Sequence, residues 1–146
     1  LTVYDANGGY GHPDHLQVRA VGLAAAALAQ TPTVLEATIN RDLMKMGVEM
    51  ARSLGYELPP EFNPTTFDQW FTAQDELTHA VDVAAHLPQK RLAMEAHATQ
   101  ATGDEGGRTL AALLSLPDEY FAMAFSTEWF RDPALPPGLS RTTVFE

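Results

Sequence analysis

The residues best suited to chemistry lie near the start of the chain, where a Gly-His-Pro-Asp-His string ends at His15. Histidine and aspartate bind divalent metals and transfer protons near neutral pH. The sequence contains no cysteine, so disulfides, thiolate ligands and cysteine nucleophiles are excluded. The string therefore points to a site built from imidazole and carboxylate groups.

The sequence around the string predicts how its side chains are positioned. Residues 1–4 are typical of an entering strand, residues 7–9 (Asn-Gly-Gly) supply the permissive backbone of a tight loop, and Pro13 suits the first turn of a helix. Apolar residues then recur at helical spacing from Leu16 to about Gln30. The string thus lies where a strand turns into a helix, which is where open α/β sheets collect their ligands.

Within the string, the backbone favours convergence of the two histidines. His12 precedes a proline and is pushed towards an extended conformation, whereas His15 lies just inside the helix. We expect both imidazoles to meet above the helix N-terminus, with Asp14 placed to compensate a protonated His12. The result is an Asp–His pair able to hold a proton, beside a second histidine free to bind a metal. The competing interpretation is that these residues only cap the helix.

The rest of the chain predicts further strands and helices of an α/β fold. Asn40 is a natural N-cap for a second helix whose apolar stripe comprises Leu43, Met46, Gly47, Met50 and Leu54. We interpret Met44, Met46 and Met50 on this helix as core residues. Two strand–helix steps in succession favour α/β winding. The remaining predictions are strands at 33–39, 78–83 and 120–130, a loop at 56–66 that could line the site, and helices at 88–100 and 109–115.

Composition sets limits on the function. With 146 residues, 45% of them hydrophobic, the chain suffices for one core, and we treat residues 1–146 as a single domain. The net charge of −10 and the lack of a basic stripe argue against nucleic acid and anionic membranes as partners. No apolar run approaches the roughly 20 residues that a membrane span needs. We therefore expect a soluble, cytoplasmic protein.

The stretch from Tyr4 to His15, Tyr-Asp-Ala-Asn-Gly-Gly-Tyr-Gly-His-Pro-Asp-His, followed by a helix, resembles the second motif of the LmbE-like (PIG-L) N-acetylglucosaminyl deacetylases. Its longer loop form is similar to that of the mycothiol-pathway deacetylase and conjugate amidase branch. Residues 90–100 resemble the family's late helix, and Tyr120-Phe121 stand where members carry a closing strand. The fold that this resemblance implies is a partial Rossmann-like sheet with flanking helices.

The resemblance also implies roles for individual residues. His15 matches a zinc ligand, and His12 matches the general acid. Asp14 would orient and charge-stabilise His12, and Tyr10 matches a tyrosine that stabilises the tetrahedral oxyanion. The implied activity is zinc-dependent removal of an N-acetyl group from a small amino sugar or sugar conjugate, with another divalent metal as the alternative cofactor.

This sequence departs from the family pattern in one large respect. Two further zinc ligands and the general base of the family come from an earlier His-Pro-Asp-Asp motif, and the chain contains no such string. One protein ligand does not make a zinc site. We therefore expect the chain to be the C-terminal part of the enzyme, inactive by itself, with the missing N-terminal part of the same protein as its partner. Homo-oligomerisation is left open.

Weaker signals lie later in the chain, and the same residue types also fit other functions. Lys90, His97 and Gln100 share one face of the helix predicted at 88–100 and are candidate substrate contacts, although a histidine on such a face more often has a structural role. Trp70, Phe71 and Trp129 fit either a core or a sugar-binding rim. The alternative functions are a catalytically degenerate binding or regulatory module of the same fold, and metal-assisted phosphoester hydrolysis.

Overall fold

The computed structural model describes residues 1–55, 62–63, 65–98 and 109–145. Most of the loop predicted at 56–66 lies outside these residues, as does Gln100. The strands are β1 (Thr2–Tyr4), β2 (Leu35–Thr38), β3 (His79–Asp82) and β4 (Thr127–Arg131). The helices are α1 (Pro13–Ala29), α2 (Arg41–Ser53), α3 (Leu87–Ala96), α4 (Thr109–Leu114) and α5 (Asp118–Phe125).

The four strands form one mixed sheet in the order β1-β2-β4-β3. Strands β1 and β2 are parallel, with Val3 opposite Glu36, as a strand–helix–strand connection through α1 requires. Strand β4 runs antiparallel to β2, with Phe130 opposite Ala37. The predicted α/β class is therefore confirmed, with helices beside a mixed sheet.

Helix α1 begins and ends where the local sequence predicts. Pro13 occupies its first turn, and the His12 side chain caps it by accepting a hydrogen bond from the backbone N–H of Asp14. The helix ends at Gln30, which has a left-handed φ of 52°. A side chain at Gly22 would place its Cβ only 2.5 Å from Val3 Cγ1, so glycine is needed for α1 to approach β1. Among the described residues, no helix is long and apolar enough to cross a membrane.

Helix α2 has the predicted N-cap, but the face that it buries differs from the prediction. The Asn40 side chain accepts hydrogen bonds from the N–H groups of Asp42 and Leu43. The predicted core stripe is wrong because Met46 and Met50 are exposed, at 55% and 47%. Val48 is the buried residue instead, and Met44 packs beside it. Met44 and Val48, four residues apart, form a second and narrower apolar stripe, and this is the one that packs against Phe67 and Phe71.

The described chain divides into two compact units, of which the first comprises residues 1–81 and 128–146. Its core cluster consists of Val48, Phe67 and Phe71, with Met44, Phe62 and Trp70 packed against it. A buried ion triad ties three of its elements together. Glu36 on β2 has no exposed surface and accepts hydrogen bonds from Arg19 on α1 and Arg131 on β4.

The second unit comprises residues 82–127 and contains α3, α4 and α5. Its buried centre is Phe121, with the Arg91 guanidinium 4.0 Å above the ring. The strand predicted at 120–130 is wrong in its first half, because Asp118–Phe125 is helical and the strand begins only at Thr127. Pro117 and the acidic first turn that follows it favour a helix start and outweigh the aromatic strand signal.

Candidate active site

The centre of the site is an irregular helical turn at Gly8–Gly11, which we call the glycine turn. It connects the end of β1 to the start of α1. Gly8, Gly9 and Gly11 have φ angles of 65°, 65° and 84°, a region that residues with a Cβ rarely adopt. These conformations allow the chain to reverse within a few residues, which confirms the tight loop predicted from the glycines.

Asp5 holds the glycine turn through its carboxylate, a role that was not predicted from the sequence. Its side chain is fully buried, and Oδ1 accepts hydrogen bonds from the backbone N–H groups of Asn7 and Gly9, at 3.0 and 2.9 Å. Oδ2 accepts a hydrogen bond from the Thr38 hydroxyl on β2. The available signal was an aspartate two residues before Asn7, since an aspartate side chain often accepts a hydrogen bond from the backbone N–H two residues onward.

We expect Asp5→Ala to destabilise the protein by about 2 kcal/mol, because three donors would lose a charged acceptor at once. Asp5→Asn is the matched control, since the amide oxygen retains an acceptor for the two backbone donors; its loss should be roughly half as large. Urea unfolding followed by circular dichroism measures both values. Equal stability of Asp5→Ala and the wild type would show that the glycine turn does not depend on this carboxylate.

The glycine turn is also held by Phe71, a second feature that sequence reasoning missed. The Phe71 N–H donates to the Gly9 carbonyl at 2.9 Å, and its own carbonyl accepts from Asn7 Nδ2 and from an Arg41 Nη at 2.9 Å. Phe71 adopts a φ of 54°, which costs a bulky residue on the order of 1 kcal/mol or more. Nothing in the local sequence signals this contact across more than 60 positions.

The His15 imidazole is fixed with one nitrogen occupied. Its Nδ1 lies 3.1 Å from the Gly8 carbonyl oxygen. Because a carbonyl only accepts hydrogen bonds, Nδ1 carries the proton in this contact, and the lone pair of the neutral ring lies on Nε2. This arrangement, with the second nitrogen donating to a backbone carbonyl, is typical of histidines that bind metals through Nε2.

His12 has the opposite arrangement. Its Nδ1 accepts a hydrogen bond of 3.1 Å from the backbone N–H of Asp14, so the proton of the neutral ring lies on Nε2. The Asp14 carboxylate is exposed, and its Oδ2 lies 4.0 Å from Nδ1. In this geometry the backbone N–H of Asp14 orients the ring, and after a small rotation the carboxylate could accept a hydrogen bond from a protonated Nδ1.

The two histidine rings converge as predicted, with centroids 4.9 Å apart. Tyr10 contacts both by its edge, at 5.8 Å from His12 and 5.3 Å from His15. Trp70 completes the aromatic group at 6.2 Å from Tyr10, which favours the rim interpretation, although Trp70 also packs on the core cluster. The rings of Tyr10, His12, His15 and Trp70 therefore form a partly exposed aromatic cluster near the start of α1.

The described residues of this site could supply only part of the ligand set that a metal ion needs. His15 supplies one nitrogen with a suitably placed lone pair, as described above. In the part of the chain that the structure describes, no group of three or more histidine or acidic side chains could hold a metal ion. These residues therefore fit one position of a zinc coordination sphere, which usually has at least three protein ligands.

The three predicted substrate contacts belong to another part of the chain. Lys90 lies on α3, where its Nζ donates to the Phe125 carbonyl at 3.1 Å and lies 5.9 Å from the centre of the Phe125 ring. His97 is the C-cap of α3, which ends at Ala96 rather than near residue 100. Gln100 is outside the described residues. The backbone contact gives Lys90 a structural role within the second unit.

Comparison with known proteins gives a consistent set of relatives. The sequence is 37% identical over 118 residues to the 1D-myo-inositol 2-acetamido-2-deoxy-alpha-D-glucopyranoside deacetylase of Geodermatophilus obscurus, covering 71% of this chain and 40% of that protein. Proteins of the same name from Nocardia farcinica and Mycolicibacterium smegmatis are 34% and 33% identical, covering 92% and 90% of the chain. No family model and no solved structure matches.

The chain spans about half the length of these relatives, 50% and 49% for the Nocardia and Mycolicibacterium proteins. The relatives are named as deacetylases of an acetylated amino-sugar conjugate. Their similarity extends over most of the chain, in agreement with the Tyr4 to His15 motif and the α/β fold that carries it. By this similarity the chain belongs to the LmbE-like family of deacetylases.

Proposed function

We propose that this chain provides the proton-transfer groups and one metal ligand of a zinc-dependent N-deacetylase. The observation that carries the proposal is the complementary state of the two histidines. Each ring has its Nδ1 engaged by the backbone, so both Nε2 atoms are available for chemistry. In the neutral rings, Nε2 carries a lone pair on His15 and an N–H on His12, and that N–H becomes an acidic proton only when the His12 ring is charged.

In this proposal His12 donates a proton to the departing amine. A histidine that acts as a general acid must start as the imidazolium, so its Nδ1 also has to carry a proton. The protonated Nδ1 can no longer accept a hydrogen bond from the Asp14 N–H, because both groups are then donors. The Asp14 carboxylate, whose Oδ2 lies 4.0 Å from Nδ1, is the nearby group that can accept a hydrogen bond from it. Asp14 therefore stabilises the charged form of His12, while its backbone N–H orients the neutral form.

Tyr10 is the proposed oxyanion donor. Its ring stands edge-on to both histidines, and the side chain is 50% exposed. A phenolic hydroxyl beside the reacting carbonyl can donate to the negative oxygen that forms during hydrolysis. The left-handed glycines on both sides of Tyr10 give this segment room to adjust around a substrate.

Zinc, when bound, would supply Lewis acidity towards the acetamide carbonyl and lower the pKa of an attacking water. Of the described residues, His15 is the one that we assign to it. The remaining ligands and the general base belong, in this proposal, to a part of the protein that this sequence does not include. The proposed substrate class is that named for the relatives, a 2-acetamido-2-deoxyglucoside of inositol, and the product amine leaves with the proton from His12.

The assay that tests this proposal uses the full-length gene product. Acetate release from an N-acetylglucosaminyl inositol is compared with phosphate release from a matched phosphoester, with and without added zinc. Zinc-stimulated acetate release supports the deacetylase. Release of phosphate without acetate would assign the site to phosphoester hydrolysis instead.

For the 146-residue chain alone, we expect weak zinc binding and no acetate release, because its one assigned ligand cannot complete a coordination sphere. A zinc titration followed by the imidazole NMR signals measures the affinity, and acetate is assayed in parallel. The signals of His15 should shift first. Tight, stoichiometric zinc accompanied by turnover would contradict the proposed division of the site.

A further inference from the structure

Tyr4, the last residue of β1, has no role in the proposed chemistry but lies directly against it. Its ring is stacked on the imidazole of His15, with centroids 3.8 Å apart and planes only 3° from parallel. This is the closest and flattest of the ring contacts around the glycine turn, where the others are tilted or edge-on. Such a geometry constrains the plane of the histidine ring.

The other contacts of His15 restrain the plane of its ring only in part. The hydrogen bond from Nδ1 to the Gly8 carbonyl fixes which nitrogen points inward, but a single hydrogen bond of 3.1 Å tolerates some rotation of the ring about the Cβ–Cγ bond. The terminal torsion of histidine is broad and has no sharp preferred value. Tyr10 touches the ring only edge-on, at 5.3 Å. A flat neighbour at 3.8 Å blocks the rotation that these contacts leave open.

The ring plane matters because the Nε2 lone pair lies within it. A cation bound at about 2.0–2.1 Å must lie close to that plane, so a tilted imidazole aims its lone pair away from the other ligands. Stacking leaves this direction open, since Tyr4 covers a face of the ring and not its edge. The contact therefore restrains His15 without obstructing Nε2.

We infer that Tyr4 is a positioning residue that holds the His15 imidazole in the plane required for Nε2 to bind a cation. The part of this inference that concerns the cation rests on the proposed function, whereas the restraint that Tyr4 places on the ring does not. The contact needs an aromatic ring rather than the tyrosine hydroxyl. Tyr4→Phe should therefore preserve it, whereas Tyr4→Leu should remove it while keeping an apolar side chain at this half-exposed position.

The first measurement needs no metal. In NMR spectra of the 146-residue chain, the His15 ring protons should be shifted upfield by the stacked ring in the wild type and in Tyr4→Phe. In Tyr4→Leu the upfield shift should be lost, and the signals should broaden or average as the ring samples several orientations. Tyr120→Leu is the matched control, since Tyr120 and Tyr4 are both 37% exposed, and it should leave His15 unchanged.

The second measurement is the affinity for Zn²⁺ added to the same chain, read from the His15 signals. We expect Tyr4→Leu to weaken binding by about 10-fold, as is typical when a group that orients a metal ligand is removed, and Tyr4→Phe to stay near the wild-type value. Unfolding curves verify that the variants are folded. Unchanged His15 ring shifts in folded Tyr4→Leu would overturn the positioning role, whether or not the zinc affinity of this variant changes.

The two measurements also separate this inference from the proposed function. If zinc leaves the His15 signals of the wild type unmoved while Tyr4→Leu still releases the ring, the restraint by Tyr4 stands and the metal assignment of His15 fails. If zinc shifts His15 equally well in the wild type and Tyr4→Leu, the metal assignment stands and the positioning role is wrong.

Discussion

Replacing His12 by alanine should lower deacetylase turnover by about 100-fold or more, because a general acid usually contributes at least that much to the rate. Metal content should not change, since the proposed role of His12 is proton donation. His15→Ala should behave differently and lose both metal and activity, because it removes a ligand. Acetate release and elemental analysis of the full-length gene product measure the two properties separately.

The control for this pair is His86→Ala. His86 is an exposed histidine in the short helical turn before α3, and its replacement should leave turnover and metal content at wild-type levels. The contrast between His12 and His15 is the decisive result. Equal loss of metal in both variants would make His12 a second ligand, and the proton donor would have to be sought elsewhere.

The largest loss of stability is expected from Glu36→Ala, at about 3 kcal/mol. Glu36 is fully buried, and its carboxylate is shared by Arg19, with N–O distances of 2.9 and 2.6 Å, and Arg131, at 3.0 Å. Removing one member of a buried ionic group leaves the remaining charges uncompensated, which typically costs about 3–5 kcal/mol. The lower figure applies because both arginines retain some contact with water, at 28% and 36% exposure.

Two further variants serve as a conservative substitution and a control for this prediction. Glu36→Gln retains the shape and one acceptor, so its loss should be intermediate. Glu49→Ala makes the alanine substitution at an exposed glutamate on α2, and it should change stability by no more than about 0.5 kcal/mol. Urea unfolding with a common slope compares all three. A loss below about 1 kcal/mol for Glu36→Ala would mean that the desolvation cost of the triad nearly cancels its attraction.

The positions of several elements could be predicted from sequence because their signals act within a few residues. Pro13 starts α1, the Asn40 side chain caps α2, and the glycines before His12 permit the turn that the structure contains. The same locality explains why the convergence of His12 and His15 was foreseeable. His12 and His15 are three positions apart at the start of a helix, so their side chains lie on the same side of it and their rings come close together.

Prediction failed where the outcome depended on distant packing. Helix α2 has more than one apolar stripe, and only its contact with Phe67 and Phe71 selects Val48 as the buried residue. The aromatic segment after Pro117 has strand-like composition, yet Phe121 is buried on a helix beneath Arg91. In both cases the local sequence is compatible with two structures, and burial decides between them.

By itself, the sequence determined the chemical groups of the site, their order along the chain and their place between a strand and a helix. Only the three-dimensional structure showed which nitrogen of each histidine is free, because that depends on how each ring is turned towards the Gly8 carbonyl or the Asp14 N–H. It also decided what supports the glycine turn. Thr38 and Phe71 reach it from 30 or more positions away, across contacts that form only when the chain folds.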